Sequence, residues 1–272
     1  MGRSAKRVMM LGLDAAELGL IRRWIAAGRL PALASLTARG RFGALTSPAD
    51  RYAGGVWPSF WAARPVPEHG IYHNKLWRAA AMRLEVPTDD WLRARPCWES
   101  AAAAGLRVCA LDVPMVLGRP RPVNGVYLGG WGTHDLIARG SWPPGLWAEI
   151  EARHGQPLMP PEHFGRQDGA ALLALRERLL AATGQMRRIA LDLLAHEQWD
   201  LACIVFGATH RAGHYLWDLS QIDAAALDPA ERVRLEDALA EVYAAVDAAV
   251  GEICAGLDED TLVLAFAVHG MG

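Results

Sequence analysis

Residues 201–214 read LACIVFGATHRAGH, a six-residue apolar run that leads directly into two histidines four positions apart. The run does not alternate between apolar and polar residues, which is typical of a parallel strand buried on both faces. Residues 8–13, 108–113 and 262–267 form similar short apolar runs. Since helical patterns separate these runs, the sequence predicts an α/β fold with a mainly parallel sheet.

The helical patterns are amphipathic, and glycine follows several of them, as is common at helix ends. Two of the patterns are long and rich in Ala, Leu, Glu and Arg, which favours helices packed along a sheet. The predicted helices are residues 18–27, 31–38, 98–104, 170–196 and 231–254.

The domain organisation is predicted as one α/β domain over residues 1–272 that is incomplete at its C-terminus. The last residues read as a buried strand and a glycine-rich turn, so we expect the natural protein to continue past Gly272. Residues 115–161 are less regular and rich in Pro, Gly and Trp. We interpret this stretch as a possible cap insertion over one end of the sheet.

Composition excludes several classes of protein. The formal net charge is −2, with 28 basic and 30 acidic residues, so no basic surplus indicates binding to a nucleic-acid polymer. No stretch approaches the roughly 18 apolar residues of a membrane span. The four cysteines form no CxxC pair, and Cys109 and Cys203 read as core residues. A cytoplasmic protein without a membrane partner is the expectation, and the sequence does not indicate an oligomeric state.

Metal-type ligands follow three of the predicted strands. Asp14 follows the first, His210 and His214 follow the run at 201–206, and His269 follows the last. Ligands of open α/β sheets bind outside the carboxyl ends of the strands. Two histidines four residues apart share one face of a helical turn and can reach one cation. The HExxH glutamate is absent, which excludes a zincin metalloprotease.

Each of these residues also has a structural interpretation. Asp14 can be a helix N-cap, His269 can be a turn residue, and the two histidines can lie partly exposed at a helix start. Ser59 is a poor nucleophile candidate because the sequence shows no activating base beside it. Trp131, His134 and Trp142, in the Trp-rich middle of the chain, are candidates to contact a substrate.

A resemblance to a known family covers nearly the whole chain. The runs VMMLGLDAAELGLIRRWIAAGRLPALASLTARGRFGALTS (8–47) and GVWPSFWAARPVPEHGIY (55–72) resemble the N-terminal half of type I phosphodiesterase/nucleotide pyrophosphatases. That family belongs to the alkaline phosphatase superfamily. The resemblance implies an alkaline-phosphatase-like sheet with helices on both faces, a two-metal site that is typically zinc, and a covalent phosphoryl-enzyme.

Several ligand positions of the family motif match, and two do not. Asp14 matches the metal-binding Asp after the first strand, and His269 matches the His of the motif S-D-H-G. His214 matches the His of D-x-x-x-H, whose Asp position holds His210. The Asp of S-D-H-G is Val268 here, so the resemblance implies an altered second metal site.

The position of the family nucleophile also differs. It falls on Ala53, and alanine cannot attack phosphorus. His210 and His214, with a third ligand expected beyond Gly272, would resemble a zinc site with three protein ligands and one open position. Such a metal lowers the pKa of its bound water to about 7, so direct attack by water could replace a covalent intermediate. The expected cofactor is one or two divalent ions, zinc first, with manganese or iron as alternatives.

The sequence therefore predicts a metal-dependent hydrolase of small phosphate esters, of the phosphodiester or nucleotide pyrophosphate type. Hydrolysis of sulfate or phosphonate esters is a further option within the superfamily. Ala53 also supports an alternative, a non-catalytic homologue that binds a ligand or partner. The sequence does not identify the substrate.

Overall fold

A computed structural model describes residues 7–88, 91, 93–118, 120–133, 139–162, 165, 167–220, 222 and 227–271. Its strands are β1 (Arg7–Leu13), β2 (Leu76–Arg78), β3 (Arg83–Glu85), β4 (Val108–Leu111), β5 (Gly125–Gly129), β6 (Gly140–Trp142), β7 (Leu201–Phe206) and β8 (Thr261–Phe266). Its α-helices are α1 (Leu18–Ala26), α2 (Pro31–Arg39), α3 (Ala49–Tyr52), α4 (Val56–Ala62), α5 (Val66–His69), α6 (Cys97–Ala103), α7 (Leu146–His154), α8 (Gly169–His196), α9 (Ala208–Leu216) and α10 (Pro229–Ala255).

The central sheet has the order β6-β5-β4-β7-β1-β8 among the described strands, and β2 pairs with β3 in a separate hairpin. The first strand lies between the two strands latest in the chain: Val8 is opposite both Leu201 and Leu262. All neighbours in the central sheet are parallel except β5 and β6. The predicted α/β class with a mainly parallel sheet is therefore confirmed.

Apolar side chains cover both faces of this sheet, as unalternating strands require. Ile204 of β7 packs in the cluster formed with α8 and α10, whereas its neighbour Val205 packs in the cluster formed with α4 and α6. Each fully buried Ile or Val contributes roughly 1.5–3 kcal/mol of transfer free energy. Cys109 and Cys203 are buried, as predicted.

The two long helices begin at aspartate N-caps. Asp168 caps α8, and Asp228 forms a capping box with Glu231 at the start of α10. Helix α2 lacks a side-chain cap of its own. Instead Asp247, buried on α10, accepts hydrogen bonds from the backbone N–H groups of Ala32 at 2.9 Å and Leu33 at 2.8 Å.

Two sequence-based expectations need correction. Residues 115–161 contribute β5 and β6 to the edge of the central sheet, and α7 packs beside them, so this stretch is not a cap insertion. The predicted strand at 108–113 ends at Leu111, because Asp112 has a φ of 55° and leaves the extended conformation.

No helix among the described residues has the length and apolarity needed to cross a bilayer.

Candidate metal centre

The carboxyl ends of β1, β7 and β8 bring the predicted ligands to one edge of the sheet. Asp14 follows β1, His210 and His214 lie on α9 directly after β7, and His269 follows β8. Because these three strands are parallel neighbours, their carboxyl ends lie side by side. This edge is where ligands bind in open α/β sheets.

Asp14 is fully buried, and each of its carboxylate oxygens faces a different side chain. Oδ1 accepts a hydrogen bond from Nε1 of Trp57 at 2.7 Å, and Oδ2 lies 3.2 Å from Nδ1 of His210. The Trp57 ring can approach because Gly12 has no side chain: a Cβ there would lie 3.1 Å from the ring. The hydroxyl of Thr209 donates to the Asp14 carbonyl, which fixes the backbone.

His210 and His214 face each other as the spacing predicts. Their Nε2 atoms are 2.8 Å apart, and the ring centroids are 4.7 Å apart. Two nitrogens at this distance need a proton between them, since two lone pairs would repel. A metal ion can take the place of that proton, because both nitrogens are suitable ligands.

Two groups of potential metal ligands share His210. Asp14, His210 and His269 form one group, and Glu162, His210 and His214 form the other; within each group the ligand atoms lie within 4.8 Å of one another. Imidazole nitrogens and carboxylate oxygens are the donors that zinc and other divalent transition metals accept. The residues at this edge therefore fit a divalent metal ion.

Glu162 was missed by the sequence analysis. It lies in an irregular stretch before α8 and is 22% exposed. Its Oε1 is 3.9 Å from Nε2 of His214 and 3.8 Å from Nη1 of the buried Arg211. No motif connects a lone glutamate to histidines about 50 residues later, so the sequence carried no signal for this contact.

The expected nucleophile position offers no hydroxyl. Ala53 begins a 3₁₀ turn, Ala53–Gly55, that leads into α4. Trp57, one turn further along, donates to Asp14. Ala53 is therefore linked to the candidate centre through helix α4. The side chain of Ala53 is a methyl group, which has no nucleophilic atom.

Ser59 has a base beside it after all, contrary to the sequence-based expectation. Its Oγ lies 2.9 Å from Nε2 of His69, which is fully buried. The proton positions nevertheless oppose catalysis. Nδ1 of His69 accepts a hydrogen bond from the N–H of Ile71 at 3.1 Å, so the ring proton must be on Nε2. That proton points at Ser59, whose hydroxyl donates to the carbonyl of Gly55 at 2.8 Å.

Burial also lowers the pKa of His69, which keeps this ring neutral at pH 7. The hydrogen bonds run in one direction, from Ile71 through His69 and Ser59 to Gly55. Ser59 therefore fixes helix α4 to the turn at His69, and its hydroxyl proton is not available to a base.

The predicted substrate contacts have different surroundings. Trp131 is 3% exposed, donates from Nε1 to Gln185 at 3.1 Å and packs against Trp147, so all these contacts belong to the core. Trp142 is half-buried on β6. His134 lies outside the described residues. A substrate contact by any of them stays a prediction.

Asp112 is a second buried carboxylate at a strand end, after β4. It accepts hydrogen bonds from the backbone N–H groups of Trp131 at 2.8 Å and Gly132 at 2.7 Å. Burial raises the pKa of Asp112 to about 6, although these N–H groups favour its ionised form. The carboxylate holds the turn that follows β5, and its contacts are structural.

Comparisons with known proteins agree with this architecture. The crystal structure of phosphonoacetate hydrolase from Sinorhizobium meliloti 1021 in complex with phosphonoformate is similar, with a TM-score of 0.60 and 18% sequence identity. Its complex with phosphonoacetate gives a TM-score of 0.54 and 17% identity. The match covers 98% of this chain and 57% of the hydrolase chain in both cases.

The fold is thus alkaline-phosphatase-like, as the sequence predicts, and the chain spans little more than half the length of that hydrolase. No protein of curated function matches the chain. The sequence model of type I phosphodiesterase / nucleotide pyrophosphatase matches residues 8–272. Since that match covers almost all of its residues, the chain belongs to the type I phosphodiesterase/nucleotide pyrophosphatase family.

Proposed function

We propose that this protein is a metal-dependent hydrolase of small phosphate or phosphonate esters, and that it acts without a covalent phosphoryl-enzyme intermediate. The observation that carries the proposal is the convergence of Asp14, His210 and His269 at the carboxyl ends of β1, β7 and β8. Their ligand atoms lie within 4.8 Å of one another, and His210 belongs also to a second such group with Glu162 and His214. Membership in a phosphodiesterase family supports the reaction class.

The metal chemistry fits the donors present. A bound divalent ion supplies Lewis-acid polarisation of the phosphoryl group and activation of water. Zinc agrees best with a site of imidazoles and carboxylates, and manganese or iron are alternatives. His210 and Asp14 are buried, which keeps bulk water from the inner part of the site.

The absence of a hydroxyl at Ala53 determines the expected course of the reaction. With no side-chain nucleophile, the oxygen of water forms the new bond to phosphorus while the bond to the leaving group breaks in the same displacement. The attacking water gives up one proton as the new bond forms, and the leaving oxygen takes up one proton, so the products are a phosphoryl acid and an alcohol. A single displacement inverts the configuration at phosphorus, whereas two successive displacements through a phosphoryl-enzyme retain it.

Ala53 also favours a second candidate function, a non-catalytic protein that binds a phosphate- or phosphonate-containing ligand. Such a protein would keep the fold and the charged edge of the sheet but would not turn over its ligand. A cytoplasmic location, predicted from the sequence, stays part of both candidates.

The test is turnover of a phosphodiester, bis(4-nitrophenyl) phosphate, with a nucleotide pyrophosphate and phosphonoacetate as further probes. Phosphonoacetate, whose hydrolysis would break a C–P bond and release acetate instead of an alcohol, is included because the similar hydrolase binds it. We expect activity that is lost on chelation, restored by added zinc, and strongly reduced in His210→Asn. His154→Asn is the matched control, because His154 pairs with Asp192 on α8, away from the strand ends.

A chiral phosphorothioate diester then reports the course of the reaction. Inversion at phosphorus supports direct attack by water, and retention would contradict it. A folded protein that binds metal but turns over none of the three probes would overturn the hydrolase proposal and favour the ligand-binding one.

A further inference from the structure

We infer that Glu162 is a metal ligand, which with His210 and His214 forms a site of two imidazoles and one carboxylate, and that Asp14 positions His210 without binding the metal itself. This inference rests on the proposed function, because it specifies the ligands of the same metal centre. It differs from the sequence-based ligand set, which contains Asp14 and His269 and lacks Glu162.

The orientation of His210 is the first observation. Its two ring nitrogens face different partners: Nδ1 lies 3.2 Å from Oδ2 of Asp14, and Nε2 lies 2.8 Å from Nε2 of His214. Histidines that bind metal through one nitrogen commonly present the other to a carboxylate, which fixes the ring and makes it a better ligand. Asp14 therefore lies behind His210, on the side opposite to His214.

The surroundings of Asp14 agree with this positioning role. Its other oxygen, Oδ1, accepts the indole N–H of Trp57 at 2.7 Å. The carboxylate is fully buried between Trp57, which donates to Oδ1, and His210, whose Nδ1 lies 3.2 Å from Oδ2. Direct metal binding by Asp14 would compete with one of these two contacts.

Glu162 is the second observation. Its Oε1 is buried, and among the described residues it accepts no hydrogen bond, although Arg211 and His214 lie within 4 Å. A carboxylate oxygen buried without a hydrogen bond is unfavourable, because it has lost its contacts with water. A cation between Glu162 and the two histidines would satisfy this oxygen.

The three ligand atoms lie within 4.8 Å of one another, so they must draw closer together to hold one ion. Ligand atoms around zinc stand about 3.4 Å apart when the bonds are roughly 2.0–2.1 Å long and the geometry is tetrahedral. The 3.9 Å contact between Glu162 and His214 must shorten slightly, and the 2.8 Å contact between the histidines must lengthen slightly. Two histidines and one glutamate are a donor set that hydrolytic zinc sites use, and it leaves a fourth position open.

The charges around the site suit an anionic substrate. A divalent ion brings two positive charges, Glu162 and Asp14 bring two negative charges, and the buried Arg211 beside Glu162 adds one positive charge. The sum is one positive charge in a largely buried region. A phosphodiester carries one negative charge and would neutralise it.

The experiment measures metal binding directly, without relying on activity. Bound zinc per chain, zinc affinity from competition with a chelator, and the visible absorption of the cobalt-substituted protein are compared for three variants: Glu162→Gln, His214→Asn and His269→Asn. Glu85→Gln is the matched control, because Glu85 is 21% exposed beside arginines but lies on the separate hairpin. Circular dichroism establishes that each variant is folded.

We expect Glu162→Gln and His214→Asn to weaken zinc binding by about 100-fold or more, whereas His269→Asn and Glu85→Gln bind as the wild type does. Asp14→Asn should weaken binding by about 10- to 100-fold and keep the intense cobalt absorption of a four-coordinate site, as expected for an outer-shell partner. If Glu162→Gln does not fold, Glu162→Asp replaces it, and a weakened but measurable affinity is expected from the shortened carboxylate.

Two results would overturn the inference, and they differ in what they mean for the proposed function. If Glu162→Gln and His214→Asn bind zinc normally while Asp14→Asn and His269→Asn do not, the metal is held by the Asp14 group and the hydrolase proposal stands. If the wild-type protein binds no zinc, manganese or iron, both the inference and the metal-dependent function are wrong.

Discussion

Replacing Ser59 by alanine is expected to destabilise the fold by about 2–3 kcal/mol and to leave the turnover per folded molecule unchanged. The substitution removes the hydrogen bond from the hydroxyl to the Gly55 carbonyl, which contributes about 1 kcal/mol. It also leaves the buried Nε2–H of His69 without its acceptor, at a cost of roughly 1–3 kcal/mol. The higher helix propensity of alanine offsets about 0.5 kcal/mol.

Urea unfolding followed by circular dichroism gives the stability change, and turnover is normalised to the folded fraction. Ser100→Ala in α6 is the control, because Ser100 is an exposed helical serine and should change stability by no more than about 0.5 kcal/mol. A stable Ser59→Ala protein that has lost turnover would refute the reasoning, since Ser59 would then act as a nucleophile with His69 as its base.

Three further predictions follow from buried carboxylates and the metal centre. Asp247→Ala should lower the free energy of unfolding, measured by urea titration, by about 2–4 kcal/mol, because α2 loses both hydrogen bonds at its N-terminus. An unchanged urea midpoint would contradict this role of Asp247. Because burial raises the pKa of Asp112 to about 6 from roughly 3.9 in the unfolded chain, the folded state binds more protons between these values. Stability should therefore fall by about 2 kcal/mol from pH 4 to pH 6, and Asp112→Asn should remove this fall relative to the wild type. Removal of metal by a chelator should lower the Tm, and added zinc at 100 times its Kd should restore about 2.7 kcal/mol of stability; an identical Tm with and without metal would argue against a specific site.

Regular elements were predictable because their patterns are local. The strand predicted at residues 201–206 has the same bounds in the structure, since its apolar run is long enough to be buried and ends at a glycine. The long helices α8 and α10 begin within two residues of the predicted positions, at aspartate caps that the periodicity alone does not identify. Asp112 was placed inside a strand because nothing in a local pattern shows that its φ is positive.

The candidate site was predictable only where a strand end carried the residue. Asp14, His210 and His269 come together because parallel strands end at one edge, and the sequence shows all three strands. Glu162 and the contact between Ser59 and His69 depend on irregular segments, whose paths no periodicity specifies. Residues 115–161 were misinterpreted for the same reason, because β5 and β6 are short and rich in glycine.

The position of β1 between β7 and β8 has a consequence for biosynthesis. Val8 is paired with Leu201, so about 190 residues must be synthesised before the first strand finds its first partner. At roughly 5–20 residues per second, the apolar segment around Met9 and Leu11 stays unpaired for about 10–40 seconds. During that time its apolar side chains are not buried in the sheet, and pairing over such a separation predicts slow folding.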